Sequence, residues 1–471
     1  MNPLLFTDPA FLFFFAPVAL TGYWIVPPRW RNGFLLLSSL LLYAWGEGRY
    51  VGVLAASIAI NWAAGFAIGR FTHSRKLALV GGVAANLGLL AVFKYSAFVV
   101  LNLDLVLIAL KLPRIEPPDF RLPIGLSFYT FMGISYLIDL YRRDIEKPSS
   151  PSRVALFMTM FPHLIAGPIV RMTEIGPQFG LRLWDSGTVA AGIRRFVIGL
   201  GKKMLIASTL ATASDAIFAL QPGQIPTPYA WLALICYTLQ IYFDFSGYSD
   251  MAIGLAGMLG FEFPENFNYP YVAQSVTEFW RRWHMTLSSW LRDYLFFPLG
   301  VRGGRWQMVR NLFLVFFLCG LWHGAAYNFI AWGLWHGLLL NLEQLGLAKA
   351  LKKMPAPVRS VYTLAAVGFG WILFRSFSLH YAFGFSKTLA GFGGGTLPRD
   401  WLASQFVNPA TYAALVAGII GALPLKSVLS GFPVAPRFAG AIEFAALACV
   451  FLSVLATAAG GTYNPFIYFR F

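Results

Sequence analysis

A chain of 471 residues that is 58% hydrophobic and only 12% charged has too little polar surface to cover a soluble globule of its size. Its net charge of +16, from 36 basic against 20 acidic residues, sits mostly in short loops between apolar runs, a mark of membrane topology and not of nucleic-acid binding. Cys236, Cys319 and Cys449 are far apart in apolar surroundings with no CxxC pair, so neither a disulfide framework nor a zinc site is indicated. The expected fold is an all-α polytopic membrane protein whose first partner is the lipid bilayer.

The opening stretch MNPLLFTDPAFLFFFAPVALTGYWIV lacks a basic n-region and carries Asp8 before its apolar core, which reads as a retained first span. Apolar runs over 9–26, 33–46, 50–69 and 77–94 follow, each near the length of about 20 residues that crosses a bilayer as helix. Arg29 and Arg31 in the first turn and Arg70, Arg75 and Lys76 in the third, against the balanced GEGRY between them, place the N-terminus outside the cytoplasm. A run from Tyr95 to Leu110 leads into KLPRIEPPDFR, after which Leu122 to Tyr141 mixes Gly, Ser, Thr and Tyr into an apolar segment, as expected of a helix that faces protein. The basic excess of RRDIEKPSSPSR puts that loop on the cytoplasmic side. In FPHLIAGPIVR, Pro162 and Pro168 break a continuous helix around His163, which is either a buried hydrogen-bonding residue or a lining residue of a substrate channel.

Residues 188–220 are long enough for a helix but carry Arg194, Arg195, Lys202 and Lys203, which belong at an interface or against a polar interior. Tyr229 to Gly247 and then YSDMAIGLAGMLG bring Gln240, Asp244, Ser246 and Asp250 together, and two carboxylates at membrane depth demand partners. In SVTEFWRRWHMTLSSWLRDYLFFPLG, Ser275 and Glu278 stand at capping-box spacing, and Trp280, Trp283, Leu287, Leu291 and Tyr294 recur at three- and four-residue steps. This predicts an amphipathic helix too polar to span lipid. It either lies in the interface with Trp and Arg at headgroup level, or folds into the protein as a re-entrant unit that brings His284 to the centre. The basic loop VRGGRWQMVR precedes CGLWHGAAYNFIAWGLWHG; apolar runs over 358–376, 407–423 and 439–458 and the aromatic tail NPFIYFRF complete the chain. Eleven to thirteen membrane-inserted helices are expected, in a single membrane-embedded domain over residues 1–471.

The two Trp-His-Gly triplets carry the most pointed chemistry. A histidine is costly to hold inside an apolar span, and because an imidazole ordinarily titrates near neutrality it is a candidate there for proton transfer. His323 and His336 are 13 positions apart, which on an unbroken helix separates them by about 20 Å and roughly 220°. A break around Tyr327 and Asn328, or at Gly333, would change that geometry. HExxH is absent, and no metal ligand set is suggested. A neutral imidazole can take a proton from a hydroxyl as it attacks a carbonyl and return it to the leaving group, which suits acyl transfer. On the residues alone, His323 is either that base or part of a structural cluster of indoles and imidazoles.

FPHLIAGPIVR, QIYFDFSGYSDMAIG, NFNYPY, FWRRWHMTLSSWLRDYLFFPLG and GLWHGAAYNFIAWGLWHG, spread over about residues 120–345, together resemble the membrane-bound O-acyltransferase family, in particular its bacterial branch that modifies alginate and teichoic acid. The resemblance implies a funnel-like helical core in the bacterial inner membrane, with His323 as catalytic base and His284 in support, orienting the acceptor or relaying a proton; His336 is structural. It implies an acyl thioester donor, carried on coenzyme A or on a carrier protein with acetyl-CoA the one expected, approaching from the cytoplasm with no tightly bound cofactor. The acceptor is an extracytoplasmic polysaccharide, and a separate envelope acetyltransferase partner completes delivery. Trp322, Asn328, Trp283, Asp244, Asp250 and His163 are channel candidates, the two aspartates being equally readable as partners of basic residues. Lys202, Lys203, Arg281 and Arg282 are readable as donor-phosphate ligands or as interfacial anchors. The chain length and the NPFIYFRF ending resemble the alginate-type subunit; D-alanyl transfer on the same fold, and transport of a glycan precursor, are the alternatives.

Overall fold

The computed structural model describes residues 5–165, 167–180, 182–300, 303–425 and 436–460, and among these all regular structure is helical. The main helices are α1 (Phe11–Ile25), α2 (Arg31–Glu47), α3 (Val51–Arg70), α4 (Arg75–Lys94), α5 (Ser96–Ala109), α6 (Leu126–Arg142) and α7 (Pro151–Thr159). They continue with α8 (Ser186–Phe218), α9 (Thr227–Met258), α10 (Val276–Trp280), α11 (Met285–Leu291), α12 (Arg305–His323) and α13 (Tyr327–Leu342). The last four are α14 (Ala356–Arg375), α15 (Leu379–Leu389), α16 (Pro409–Gly421) and α17 (Pro436–Ala459). Among the described residues five stretches are long and apolar enough to cross a membrane: Pro28–Arg70, Arg75–Lys94, Ser186–Phe218, Ala356–Arg375 and Gly440–Ala459. Shorter apolar helices, α1, α5 and α16, add to them, and the protein is an integral membrane protein. The tail NPFIYFRF lies outside the described residues.

The chain divides into two compact units, Met1–Phe196 with Met251–Pro264 and Val197–Asp250 with Glu265–Phe471. In the first, α3, α4 and α6 pack together. Asn61 of α3 and Asn86 of α4 exchange amide hydrogen bonds at 3.0 Å, which satisfies two polar side chains within an apolar bundle. As its composition predicts, α6 is buried from Leu126 through Leu137. The prolines of FPHLIAGPIVR act as expected: one helical turn, Phe161–Leu164, precedes non-helical backbone over 168–171.

α9 is one continuous helix over Thr227–Met258. At Gly247 the backbone of α8 comes so close that a Cβ would lie 2.8 Å from the carbonyl oxygen of Gly199, which only a glycine permits. A π-type turn, Lys202–Ala207, places both lysines of α8 against α9, where Lys203 pairs with Asp244 and Lys202 with Asp250, the latter at 2.6 Å. Lys203 and Asp244 are both buried, so the charges at membrane depth neutralise one another.

Candidate active site

The segment from Ser275 folds into the protein. Ser275 Oγ accepts the Glu278 N–H at 3.0 Å and starts α10 as the spacing predicts, but the expected continuous amphipathic helix is broken: after Trp280 the chain turns, and α11 starts afresh at Met285. The break is at His284 itself, whose φ of 42° and ψ of 56° are left-handed, a conformation that costs a non-glycine residue about 1–3 kcal/mol and persists only where its surroundings impose it. Asn266 and Asn268 of NFNYPY impose it: the Asn266 carbonyl accepts the Met285 N–H at 2.9 Å, and the Asn268 N–H donates to the Arg282 carbonyl at 2.9 Å. Trp280, Trp283, Leu287, Leu291 and Tyr294 are all buried, which excludes a helix resting in the interface, while Arg281 and Arg292 are exposed.

Both limbs of this segment are tied to the same end of the antiparallel pair α12–α13. On the entering limb, the N–H groups of Val276 and Thr277 donate to the buried Glu343 carboxylate at 2.7 and 2.9 Å, just beyond α13. On the leaving limb, the Leu299 carbonyl accepts from Gln307 Nε2 at 3.1 Å and the Gly300 carbonyl from Asn311 Nδ2 at 2.7 Å, near the start of α12. Between them, the His284 ring lies 6.4 Å from that of Trp322, near the opposite end of α12. The segment is therefore re-entrant, with His284 at its apex.

The helix bearing His323 ends there. Gly324 is extended, and the chain reverses through Ala325 and Ala326 into α13, so the unbroken helix is not formed and the two Trp-His-Gly triplets stand on the two arms of a tight hairpin, the first at its turn. Glycines permit the approach: a Cβ on Gly333 would lie 2.2 Å from the Phe316 carbonyl oxygen, and one on Gly320 would lie 2.3 Å from that of Phe329. Gly333 is thus a contact point within α13 and not the break. The His323 ring is packed edge to face by Trp322 and Trp332, both 4.9 Å between centroids, and by Phe374 at 5.3 Å. Trp322 lies against both His284 and His323, with His323 5% exposed and His284 fully buried.

Hydrogen bonding shows which ring nitrogen of His284 carries a proton. Asn266 Oδ1 accepts from the Thr286 N–H and hydroxyl at 3.3 and 3.0 Å, which identifies it as the amide oxygen. His284 Nδ1, 3.0 Å from the same atom, must then carry a proton, and the neutral ring keeps its lone pair on Nε2. Asn266 Nδ2 in turn donates to Ser249 Oγ at 3.1 Å.

The other candidates divide. Trp322 and Trp283 belong to this cluster, Trp283 stacking on Phe279 at 5.5 Å and on Trp371 at 4.9 Å. Asn328 is buried and donates to the carbonyls of Ser376 and Leu373 at 3.0 and 3.4 Å, tying the start of α13 to the end of α14. Asp244 and Asp250 serve the ion pairs of α8 and α9. His163 belongs to the first unit, with Nε2 2.9 Å from the Phe157 carbonyl oxygen within its own segment and its ring against Phe263. Lys203 is buried in its pair, unlike an anchor at the interface; Arg282 bonds Glu278 and the Asn268 carbonyl. Sequence reasoning missed Asn266, Glu343 and Trp332, and also Arg375, which follows Phe374 and pairs with Asp215 at 2.8 Å. The NFNYPY motif contained a signal for Asn266; nothing local marked Glu343.

Residues 124–378 match the family model described as MBOAT, membrane-bound O-acyltransferase family. The chain is 39% identical over 501 residues to the probable alginate O-acetylase AlgI of Azotobacter vinelandii, covering 99% of this chain and 100% of that one. It is 35% identical to the peptidoglycan O-acetyltransferase of Helicobacter pylori, over 86% of this chain and 83% of the relative. With the teichoic acid D-alanyltransferase of Bacillus subtilis it shares 30% identity over 46% of this chain and 58% of the relative. The family match spans the re-entrant segment, the α12–α13 hairpin and α14.

Proposed function

Because the chain belongs to the membrane-bound O-acyltransferase family and is an acyltransferase, we infer that it moves acetyl groups from a cytoplasmic thioester donor, acetyl-CoA, to hydroxyls of an extracytoplasmic polysaccharide of the alginate type. His323 serves as general base. It takes the proton from the acceptor hydroxyl as the oxygen attacks the thioester carbonyl, and delivers it to the departing thiolate, so that an ester and a free thiol result. His284, held through Nδ1 by Asn266, orients the acceptor or passes on the proton. Placement in the inner membrane with the N-terminus outside, and an envelope acetyltransferase partner that completes delivery, belong to the same reading.

The observation that carries it is that His284 and His323, on chain segments that approach from separate directions, both lie against Trp322. Near full-length likeness to alginate and peptidoglycan acetylating proteins favours acetyl over D-alanyl transfer, for which the likeness covers under half of the chain. The test is His323→Ala in cells, read as polymer-bound acetyl at equal protein level. Loss of acetyl is expected; retention would remove His323 from the chemistry. Labelled acetyl-CoA and labelled alanine on a carrier protein, supplied in parallel, distinguish the two acyl groups.

A further inference from the structure

His336 occupies the second Trp-His-Gly triplet, is fully buried, and takes no part in the proton transfer described above. Its Nδ1 lies 3.2 Å from Trp280 Nε1. An indole N–H only donates, so Nδ1 must be the acceptor, and a second proton on that ring would set two donors against each other. The ring is therefore fixed as the neutral Nε2–H form. That Nε2 faces the backbone of α14 so closely that a Cβ on Gly370 would lie 2.7 Å from it, and it has no hydrogen-bond partner. Enclosed in this way, His336 has neither a free basic nitrogen nor access to a substrate.

What it does have is a position between the two arms of the site. Trp280 stands four residues before His284 on the entering limb of the re-entrant segment. His336 stands on α13, where Trp332, one helical turn earlier, packs edge to face on both imidazoles, 5.2 Å from His336 and 4.9 Å from His323. Trp280 also contacts Trp332 at 5.7 Å and Phe316 of α12 at 5.0 Å. The hydrogen bond from Trp280 to His336 is thus a directional contact set among aromatic rings, nearer the two histidines than the Glu343 bonds, in the joint between the limb that presents His284 and the hairpin that presents His323. Ring packing tolerates sliding and tilting; a buried hydrogen bond loses its strength when either is large.

We propose that His336, through the hydrogen bond it accepts from Trp280, is a positioning residue that sets the separation and angle of His284 and His323. The inference rests on the two-histidine reading above. It predicts that losing the bond lowers turnover while leaving donor binding in place, because the reacting groups are displaced without either being removed.

Three variants of the full-length protein in native membranes test it: Trp280→Phe, His336→Leu, and the two combined. Each is read for thermal unfolding after solubilisation and for kcat and KM with labelled acetyl-CoA. The single variants strand one buried partner and are expected to unfold earlier; the double variant removes both and is expected to recover much of that loss, since matched apolar replacement avoids a stranded polar group. If the bond positions the site, kcat in the double variant stays depressed by on the order of 10- to 100-fold with KM for the donor near the native value. If kcat recovers together with thermal stability, the bond only holds the fold and the proposal is overturned. Should a single variant fail to accumulate, the double variant alone decides. His323→Ala assayed alongside separates the two readings: an inactive His323→Ala with a fully active double variant defeats the positioning role and leaves the proposed base standing.

Discussion

Asn266 holds His284 by both of its faces. Its side-chain Oδ1 lies 3.0 Å from the ring Nδ1, and its backbone carbonyl accepts the N–H of the next residue, Met285, at 2.9 Å. One residue therefore sets the tautomer of the imidazole and supports the left-handed backbone that aims it. The aim depends on a contact 18 residues away in sequence.

Asn266→Ala removes the acceptor for His284 Nδ1–H and for the Thr286 N–H and hydroxyl. Stranding these buried donors is expected to cost about 2–3 kcal/mol and to reduce acetylation further than the drop in protein level accounts for. Polymer-bound acetyl per unit of immunodetected protein is the measurement.

Gly333→Ala drives a methyl group into the Phe316 carbonyl and must spread the α12–α13 hairpin. Overpacking of this kind costs about 1–3 kcal/mol, and the loss of activity should exceed the loss of stability because His323 stands at the hairpin's turn. Gly88→Ala is the control: nothing lies within 4 Å of its added Cβ, so it should be neutral or stabilising by up to about 1 kcal/mol. Thermal unfolding in detergent distinguishes the two.

Glu343→Gln exchanges one carboxylate oxygen for an amide donor facing the N–H groups of Val276 and Thr277 and the Thr277 hydroxyl, which donates at 2.6 Å. A loss of about 2–3 kcal/mol is expected, since charge-assisted bonds are replaced by a weaker bond and a donor–donor clash. The entering limb of the re-entrant segment should loosen first, seen as faster amide exchange across 276–284.

Asp244→Ala strands the buried Lys203 ammonium and should destabilise the protein by about 3–5 kcal/mol, seen as a collapse in accumulated protein. Lys203→Met combined with Asp244→Leu should restore the level, because it removes both charges together. If acetylation also returns in the double variant, the pair serves the fold; an abundant but inactive double variant would return Asp244 to the substrate path.

Taken by itself, the sequence determined the all-helical membrane class, the positions of most apolar helices, the buried character of α6, the break in FPHLIAGPIVR and the Ser275 cap. Each follows from a local quantity: hydropathy over a bilayer's thickness, small polar residues where helices meet protein, proline's missing N–H, or a hydroxyl three residues before an acidic side chain. It also marked His284 and His323 through the motifs that surround them.

Tertiary structure alone decided how those residues meet. Periodicity predicted one amphipathic helix through His284 because the apolar spacing is unbroken there; the helix breaks because Asn266 and Asn268, distant in the chain, bind the backbone on either side. The same limit hid the role of the glycines in the WHG stretches, whose value is the absence of a Cβ opposite a partner carbonyl, and of Glu343, whose partners on the entering limb lie 66 and 67 residues away. A sequence fixes what each segment prefers. Which imidazole faces which depends on hydrogen bonds and close backbone contacts that exist only after the segments have packed.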